Sequence, residues 1–248
     1  MKRETVNRVR WVIEDLVPPI LRDSRAFRWL AERAWGDHIG DLAEFRARAP
    51  FLTDEEYETL YRKHPRVHAG TDNSEACIAR IAADTVGVSV LDVGCGTGEL
   101  LRRVSEVRPE LARLCGVDFA IDDADALPGI EYVAAKVESL PFRDGEFDTV
   151  LCTHLIEHVL EPKLAIAELR RVARKRVIIV VPREREYRYT FNPHFNFYPY
   201  THAFLREMHP VPEGYVCEDV RRDIYYREDV AEGMSEDGQL PVFLAAAE

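Results

Sequence analysis

Val90-Leu91-Asp92-Val93-Gly94-Cys95-Gly96-Thr97-Gly98 is the stretch on which the reading of this chain turns. The apolar run Val88 to Val93 leads into it and suits a buried strand, and Glu99 to Val107 behind it suits a helix. Glycines between a strand and a helix let the backbone turn sharply and let a ligand approach it closely. Such a loop fits a tight structural turn or a nucleotide site. The spacing here is G-x-G-x-G rather than the dinucleotide pattern G-x-G-x-x-G, and Asp92 stands just ahead of the first glycine. No Lys-Ser/Thr ending makes it a phosphate-binding loop.

Around this segment, strand-like and helix-like stretches alternate. Ser74 to Ala83 predicts a helix with polar caps. Leu114 to Val117, Ile130 to Ala134, Phe147 to Cys152 and Val177 to Val181 predict further strands, with Val216 to Val220 and Pro241 to Ala245 as the last two. Leu164 to Ala173 predicts a helix that buries Leu164, Ala167, Leu169 and Val172. Alternation of this kind specifies an α/β fold, a doubly wound and mainly parallel sheet.

The glycine segment resembles the first motif of class I S-adenosylmethionine (SAM)-dependent methyltransferases, and the resemblance continues in order. Asp118 follows the run Leu114 to Val117 where such enzymes hold the ribose hydroxyls. Val137-Glu138-Ser139-Leu140-Pro141-Phe142 resembles their segment beside the adenine, and Phe147-Asp148-Thr149-Val150 their fourth strand. His154-Leu155-Ile156-Glu157-His158-Val159-Leu160-Glu161-Pro162 resembles the turn after it. The resemblance implies a Rossmann-like sheet of seven strands with the last antiparallel. It implies SAM as cofactor and S-adenosylhomocysteine as product. The cofactor residues it implies are Asp92, Gly94, Cys95, Gly96, Gly98, Asp118, Phe119, Val137, Glu138 and Thr153. Lys136 departs from the family pattern, which has an aspartate there, so adenine recognition shifts to Phe119 and the backbone near Val137. The stretch from Asp118 to Glu138 is short and predicts a reduced second helix, with Asp122, Asp123 and Asp125 on a solvated face.

Methyl transfer asks little of the protein beyond alignment, but a hydroxyl acceptor also needs its proton removed or its oxygen bound to a metal. His154, Glu157 and His158 follow the fourth strand, and a helix there would put them on one face. His194 follows the fifth strand. The candidate catalytic residues are therefore His154, His158 and His194. The same histidines with Glu157 make a candidate divalent-metal site, and this set resembles two groups of metal-dependent O-methyltransferases. One acts on demethylubiquinone-type catechols and the other on the terminal 2′-hydroxyl of small RNAs. Alternatively Glu157 and His158 only order the turn.

The reading that follows is O-methylation of a small molecule. Its alternatives are a terminal-RNA 2′-O-methyltransferase and a SAM-binding protein that transfers no methyl group. The formal net charge of −11 argues against a phosphate-reading surface and so against nucleic acid as partner. No stretch reaches the length of a membrane span and no signal-peptide region follows the N-terminus, which predicts a soluble, cytoplasmic protein. The five scattered cysteines suit buried thiols in that compartment.

Residues 1–70 read as an N-terminal helical cap or lid, and residues 71–248 as the SAM-binding domain. In the first segment Trp11, Ile13, Leu16 and Val17 suit a helix ended by Pro18 and Pro19, Phe27 to Ala34 a second, and Thr53 with Glu56 a capping box opening a third. Tyr187 to Phe204 is dense in aromatic residues, either a lid over a ring-bearing substrate or an insertion with its own small core.

Overall fold

The structure, a computed structural model, describes residues 17–35, 45–53, 55–57, 59, 70–121, 126–186, 188 and 193–230. Its centre is a seven-stranded sheet: β1 (Ser89–Val93), β2 (Arg113–Asp118), β3 (Glu131–Ala134), β4 (Phe147–Thr153), β5 (Ala173–Pro182), β6 (Val216–Val220) and β7 (Asp223–Asp229). Their spatial order is β3-β2-β1-β4-β5-β7-β6. Neighbours from β3 to β5 pair parallel, while β7 runs antiparallel to both β5 and β6. This is the class I methyltransferase arrangement expected from the sequence. The seventh strand, however, is Asp223–Asp229, which follows β6 after a tight turn. Pro241–Ala245, assigned that place from its apolar run, lies outside the described residues.

The helices are α1 (Pro19–Arg22), α2 (Arg25–Trp35), α3 (Phe45–Arg48), α4 (Glu75–Asp84), α5 (Glu99–Val107), α6 (Pro162–Val172) and α7 (Thr201–Glu207). Local chemistry explains their starts. The Ser74 hydroxyl accepts the Cys77 N–H at 3.2 Å and caps α4. Pro162 opens α6, where a missing N–H costs nothing. Pro19 likewise opens α1, so the Pro18-Pro19 pair starts a helix; the helix expected to end there lies outside the described residues. Between β2 and β3 no helix lies among the described residues, in line with the short connection; Asp122, Asp123 and Asp125 fall outside them.

Period-two alternation divides the core into two layers. On one face Val90, Leu151, Ile178, Val180 and Tyr225 pack against Ile78 and Ile81 of α4 and Leu101 and Val104 of α5. On the other, Leu91, Val93, Val150, Ile179 and Tyr226 pack with Ile166 and Leu169 of α6 and Phe204 of α7. Because both faces are covered, β1, β4 and β5 read as continuous apolar runs. The buried face of α6 is Ala165, Ile166, Leu169 and Val172. Leu164 (56% exposed) and Ala167 point outward, correcting the predicted burial pair: the helix begins at Pro162, and its buried stripe follows Ala165 and Ile166.

Candidate active site

The glycine loop joins β1 to α5 at the carboxyl edge of the sheet, where β1 lies between β2 and β4. That is the topological switch point, and ligands of doubly wound sheets bind there. Gly94, Gly96 and Gly98 have φ of 81°, 53° and 81°, a left-handed region closed to most residues. The amides of Gly94 and Cys95 both donate to the Val117 carbonyl, at 2.7 and 3.0 Å, and tie the loop to β2. Asp118, ending β2, closes the loop from the side: its Oδ2 accepts the Gly96 N–H at 2.9 Å.

A shallow cleft open to solvent lies over this loop, lined by Gly70, Thr71, Asp72, Asp92, Gly94, Cys95, Glu99, Leu100, Thr153 and His154. Asp92, Gly94, Cys95 and Thr153 of the predicted cofactor set thus face it, and Gly96, Gly98 and Asp118 shape its loop. Phe119 and Glu138 are half-buried and the Val137 side chain is buried in the apolar core; these three are not among the residues lining the cleft. Asp72 and Asn73 were not singled out from the sequence, where they look like caps for α4. Asn73 is buried, and its side-chain amide donates to the Thr153 hydroxyl at 2.9 Å, holding the chain ahead of α4 against the end of β4.

Beyond β4 the backbone departs from the predicted helix. His154 has φ 52°, which no right-handed helix accommodates, and only a short 3-10 turn, Ile156–His158, follows. The turn nevertheless groups the expected side chains. Buried Glu157 has His154 Nδ1 at 3.6 Å. The His158 and His194 rings meet edge to face, centroids 4.6 Å apart. One ligand atom each of Glu157, His158 and His194 lies within 4.8 Å of the others; His154 is not part of that group.

The loop carrying His194 is strapped onto the turn. Phe195 and Asn196 N–H groups donate to the Glu157 carbonyl, and the Asn196 amide donates to the carbonyls of Ile156 and Val159 at 2.9 and 2.7 Å. His158 Nδ1 donates to the Pro193 carbonyl at 2.9 Å. His194 Nδ1 lies 2.7 Å from Oε2 of Glu184, a buried carboxylate that the sequence reading missed. Its setting, Pro182-Arg183-Glu184-Arg185-Glu186, looks like a solvated charge run.

Electrostatics separates His154 from His158. Burial works to lower the His154 pKa, but the hydrogen bond to Glu157 and the charges of Asp223 and Glu157 outweigh it and raise it. Burial pushes His158 down to about 4, helped by His194. Burial would raise Glu157, yet its contact with His154 holds it below the usual carboxylate range.

The N-terminal segment reaches this site. Thr53 and Glu56 form the expected capping box, each backbone N–H bonded to the other's side chain, at 2.8 and 3.3 Å. Tyr57, in the turn so opened, donates its hydroxyl to the His158 carbonyl at 2.8 Å and stacks on Phe195 at 5.9 Å. In the aromatic stretch, Tyr198 and Phe204 are buried in the main core, while Phe195 and Phe197 stay half-buried near His194, so the stretch serves both packing and site. Tyr187, Tyr189 and Phe191 lie outside the described residues, as do Trp11, Ile13, Leu16, His38, His64 and His68. His202 and His209 are exposed.

Comparison with known proteins agrees with this geometry. A family model described as a methyltransferase domain matches residues 91–181, from β1 to β5. The chain is 32% identical over 103 residues to the demethylmenaquinone methyltransferase of Renibacterium salmoninarum, covering 38% of this chain and 42% of that protein. It is 32% identical over 87 residues to a tRNA U34 carboxymethyltransferase of Nautilia profundicola (33% and 29% covered). A ubiquinone biosynthesis O-methyltransferase of Xanthomonas oryzae pv. oryzae is 33% identical over 95 residues (34% and 37% covered). The chain spans less than half the length of these curated relatives. Among the described residues no helix is long and apolar enough to cross a membrane. Residues 91–181 match the methyltransferase domain, and the sheet order and glycine loop around them have the class I arrangement.

Proposed function

We propose that the chain transfers the methyl group of SAM to a hydroxyl oxygen of a small, ring-bearing molecule. One observation carries the reading: at a single sheet edge the glycine-loop cleft meets, across His154, the cluster of Glu157, His158 and His194. When bound, SAM supplies a methyl group already activated by its sulfonium, so the protein has chiefly to align the acceptor. Asp72, Asp92 and Glu99 line the cleft and suit a ligand with ammonium and sulfonium charges. In this reading Asp118, beside the glycine loop, takes the ribose diol, and Phe119 with the backbone at Val137 and Glu138 takes the adenine.

On the acceptor side, Glu157 and Asp223 favour the protonated form of His154, which suits it less to taking a proton. His158 is a weak base, its pKa pushed down to about 4. His194, backed by Glu184, takes the general-base role, and Glu157 and His158 orient the hydroxyl. Half-buried Phe195, Phe197 and Tyr57 offer ring surfaces beside it. The names of the quinone-pathway relatives agree with an aromatic or quinol acceptor. In this reading residues 1–70 cap the acceptor side of the domain formed by residues 71–248. The protein works in the cytoplasm, where its free cysteines stay reduced.

A second reading has its own observation. Glu157, His158 and His194 form a three-ligand set of the kind that holds a borderline divalent cation with positions left for substrate. Such an ion would polarise the acceptor oxygen. His154, predicted as a fourth ligand, stays outside the set. Calorimetry with S-adenosylhomocysteine tests the cofactor assignment: Gly96→Arg abolishes binding, and an unchanged affinity sinks it. Binding without turnover on any hydroxyl acceptor would favour a protein that transfers no methyl group. Metal analysis of chelator-free protein, with activity assayed in EDTA, separates the base from the metal.

A further inference from the structure

The His194 ring can present either nitrogen to an acceptor. The selecting group comes from the end of β5. Glu184 follows β5 by two residues, is 2% exposed, and sets Oε2 at 2.7 Å from His194 Nδ1. Its backbone is fixed independently: the Glu184 N–H donates to the Tyr198 carbonyl at 3.2 Å, and Arg183 bridges to Tyr198. The carboxylate is thus anchored at both ends of the loop that carries His194.

We propose that Glu184 is the positioning residue of the acceptor site. Its carboxylate accepts the Nδ1–H of His194, fixes that tautomer, and leaves Nε2 as the lone-pair nitrogen. A carboxylate only accepts, so Nδ1 must hold the proton. The ring plane is fixed at the same time, as in carboxylate–histidine pairs that orient a base or a metal ligand. His158 is handled in parallel by a different acceptor, the Pro193 carbonyl at 2.9 Å. Both rings therefore keep Nε2 unprotonated through Nδ1 contacts made outside the cluster. When an acceptor hydroxyl gives its proton to His194 Nε2, the imidazolium formed is stabilised by Glu184 without a second proton transfer. The bond from methyl carbon to acceptor oxygen forms as the carbon–sulfur bond breaks, with the electron pair passing to sulfur.

The inference rests on the acceptor-site reading above, and the test separates the two. Long-range ¹H–¹⁵N spectra of histidine-labelled full chain, with His194 assigned by its loss in His194→Asn, report the tautomer directly. The wild type should show His194 protonated at Nδ1. Glu184→Gln, whose amide can donate as well as accept, should lose that preference, and Glu184→Asp should restore part of it. With phenolic and quinol hydroxyls as acceptors, Glu184→Gln should lower kcat roughly 10- to 100-fold with little change in KM. Its affinity for S-adenosylhomocysteine should be unaltered. An Nε2–H tautomer in the wild type, or the same tautomer in Glu184→Gln, overturns the role of Glu184. Should the Gln variant not fold, the wild-type tautomer and the Asp variant decide alone. If the tautomer responds as expected but His194→Asn leaves methyl transfer unchanged, the acceptor-site reading falls and the Glu184–His194 pair is only structural.

Discussion

A Cβ added at Gly98 would lie 2.4 Å from the Tyr132 hydroxyl, on a backbone already at φ 81°. Tyr132 cannot easily withdraw, because its hydroxyl donates to the Thr97 carbonyl at 2.8 Å and accepts the Leu127 N–H at 3.1 Å. Two separate requirements therefore select glycine, one for dihedral freedom and one for space. Gly98→Ala should cost about 2 kcal/mol or more in urea denaturation, and adding Tyr132→Phe should recover part of it. Wild-type stability in the single variant would contradict the packing argument. The sequence exposes the first requirement through its spacing, whereas the second depends on a tyrosine in β3.

The edge where β1 meets β4 depends on one carboxylate. Asp148 Oδ2 accepts the amides of Val88 and Ser89 at 2.9 and 3.3 Å, and Oδ1 faces Lys175 at 3.1 Å. Strand register shifts here, between Phe147 and Thr149. Burial works to raise the Asp148 pKa, but the Val88 amide and the Lys175 ammonium outweigh it and hold it below the ordinary carboxylate value. A depressed native pKa contributes stability above the unfolded value, near pH 4, that is lost as pH falls through the native one. Asp148→Asn should therefore cost about 2 kcal/mol at pH 7, and its gap to the wild type should narrow below about pH 4. A gap independent of pH would show that the charge is not the cause. The Phe-Asp-x-Val pattern marks β4 in the sequence, but the work of its aspartate appears only when residues 88 and 148 are side by side. Similarly, periodicity marks α6, but its buried face turns to Ala165 and Ile166, since neighbouring strands choose the face.

For the molecule as a whole, the open question is how the first 70 residues bear on the site. Tyr57 links them across 101 residues to the His158 carbonyl, and Asp23 accepts the Arg188 N–H at 3.0 Å. If this segment caps the acceptor side, Tyr57→Ala should raise acceptor KM about tenfold and leave affinity for S-adenosylhomocysteine unchanged. The glycine-loop cleft does not include Tyr57. A kinetic profile like that of the wild type would reduce the contact to packing. Tyr57→Phe, which keeps the stacking on Phe195 but removes the hydroxyl, should fall between the two.

The amino-acid sequence by itself determined the strand–loop–helix that binds a ligand, the order of elements from β1 to β5, and the capping of α4 and of the turn after Thr53. These follow from local periodicity and from hydrogen bonds spanning three or four residues, which a linear pattern records. Only the tertiary structure decided that His154 leaves the helical region and that Glu157, His158 and His194 share one cluster without it. It alone set β7 against β5 and gave Glu184 a histidine partner. Those outcomes depend on contacts between segments distant in the chain. An acidic residue among arginines looks solvated until a returning loop buries it.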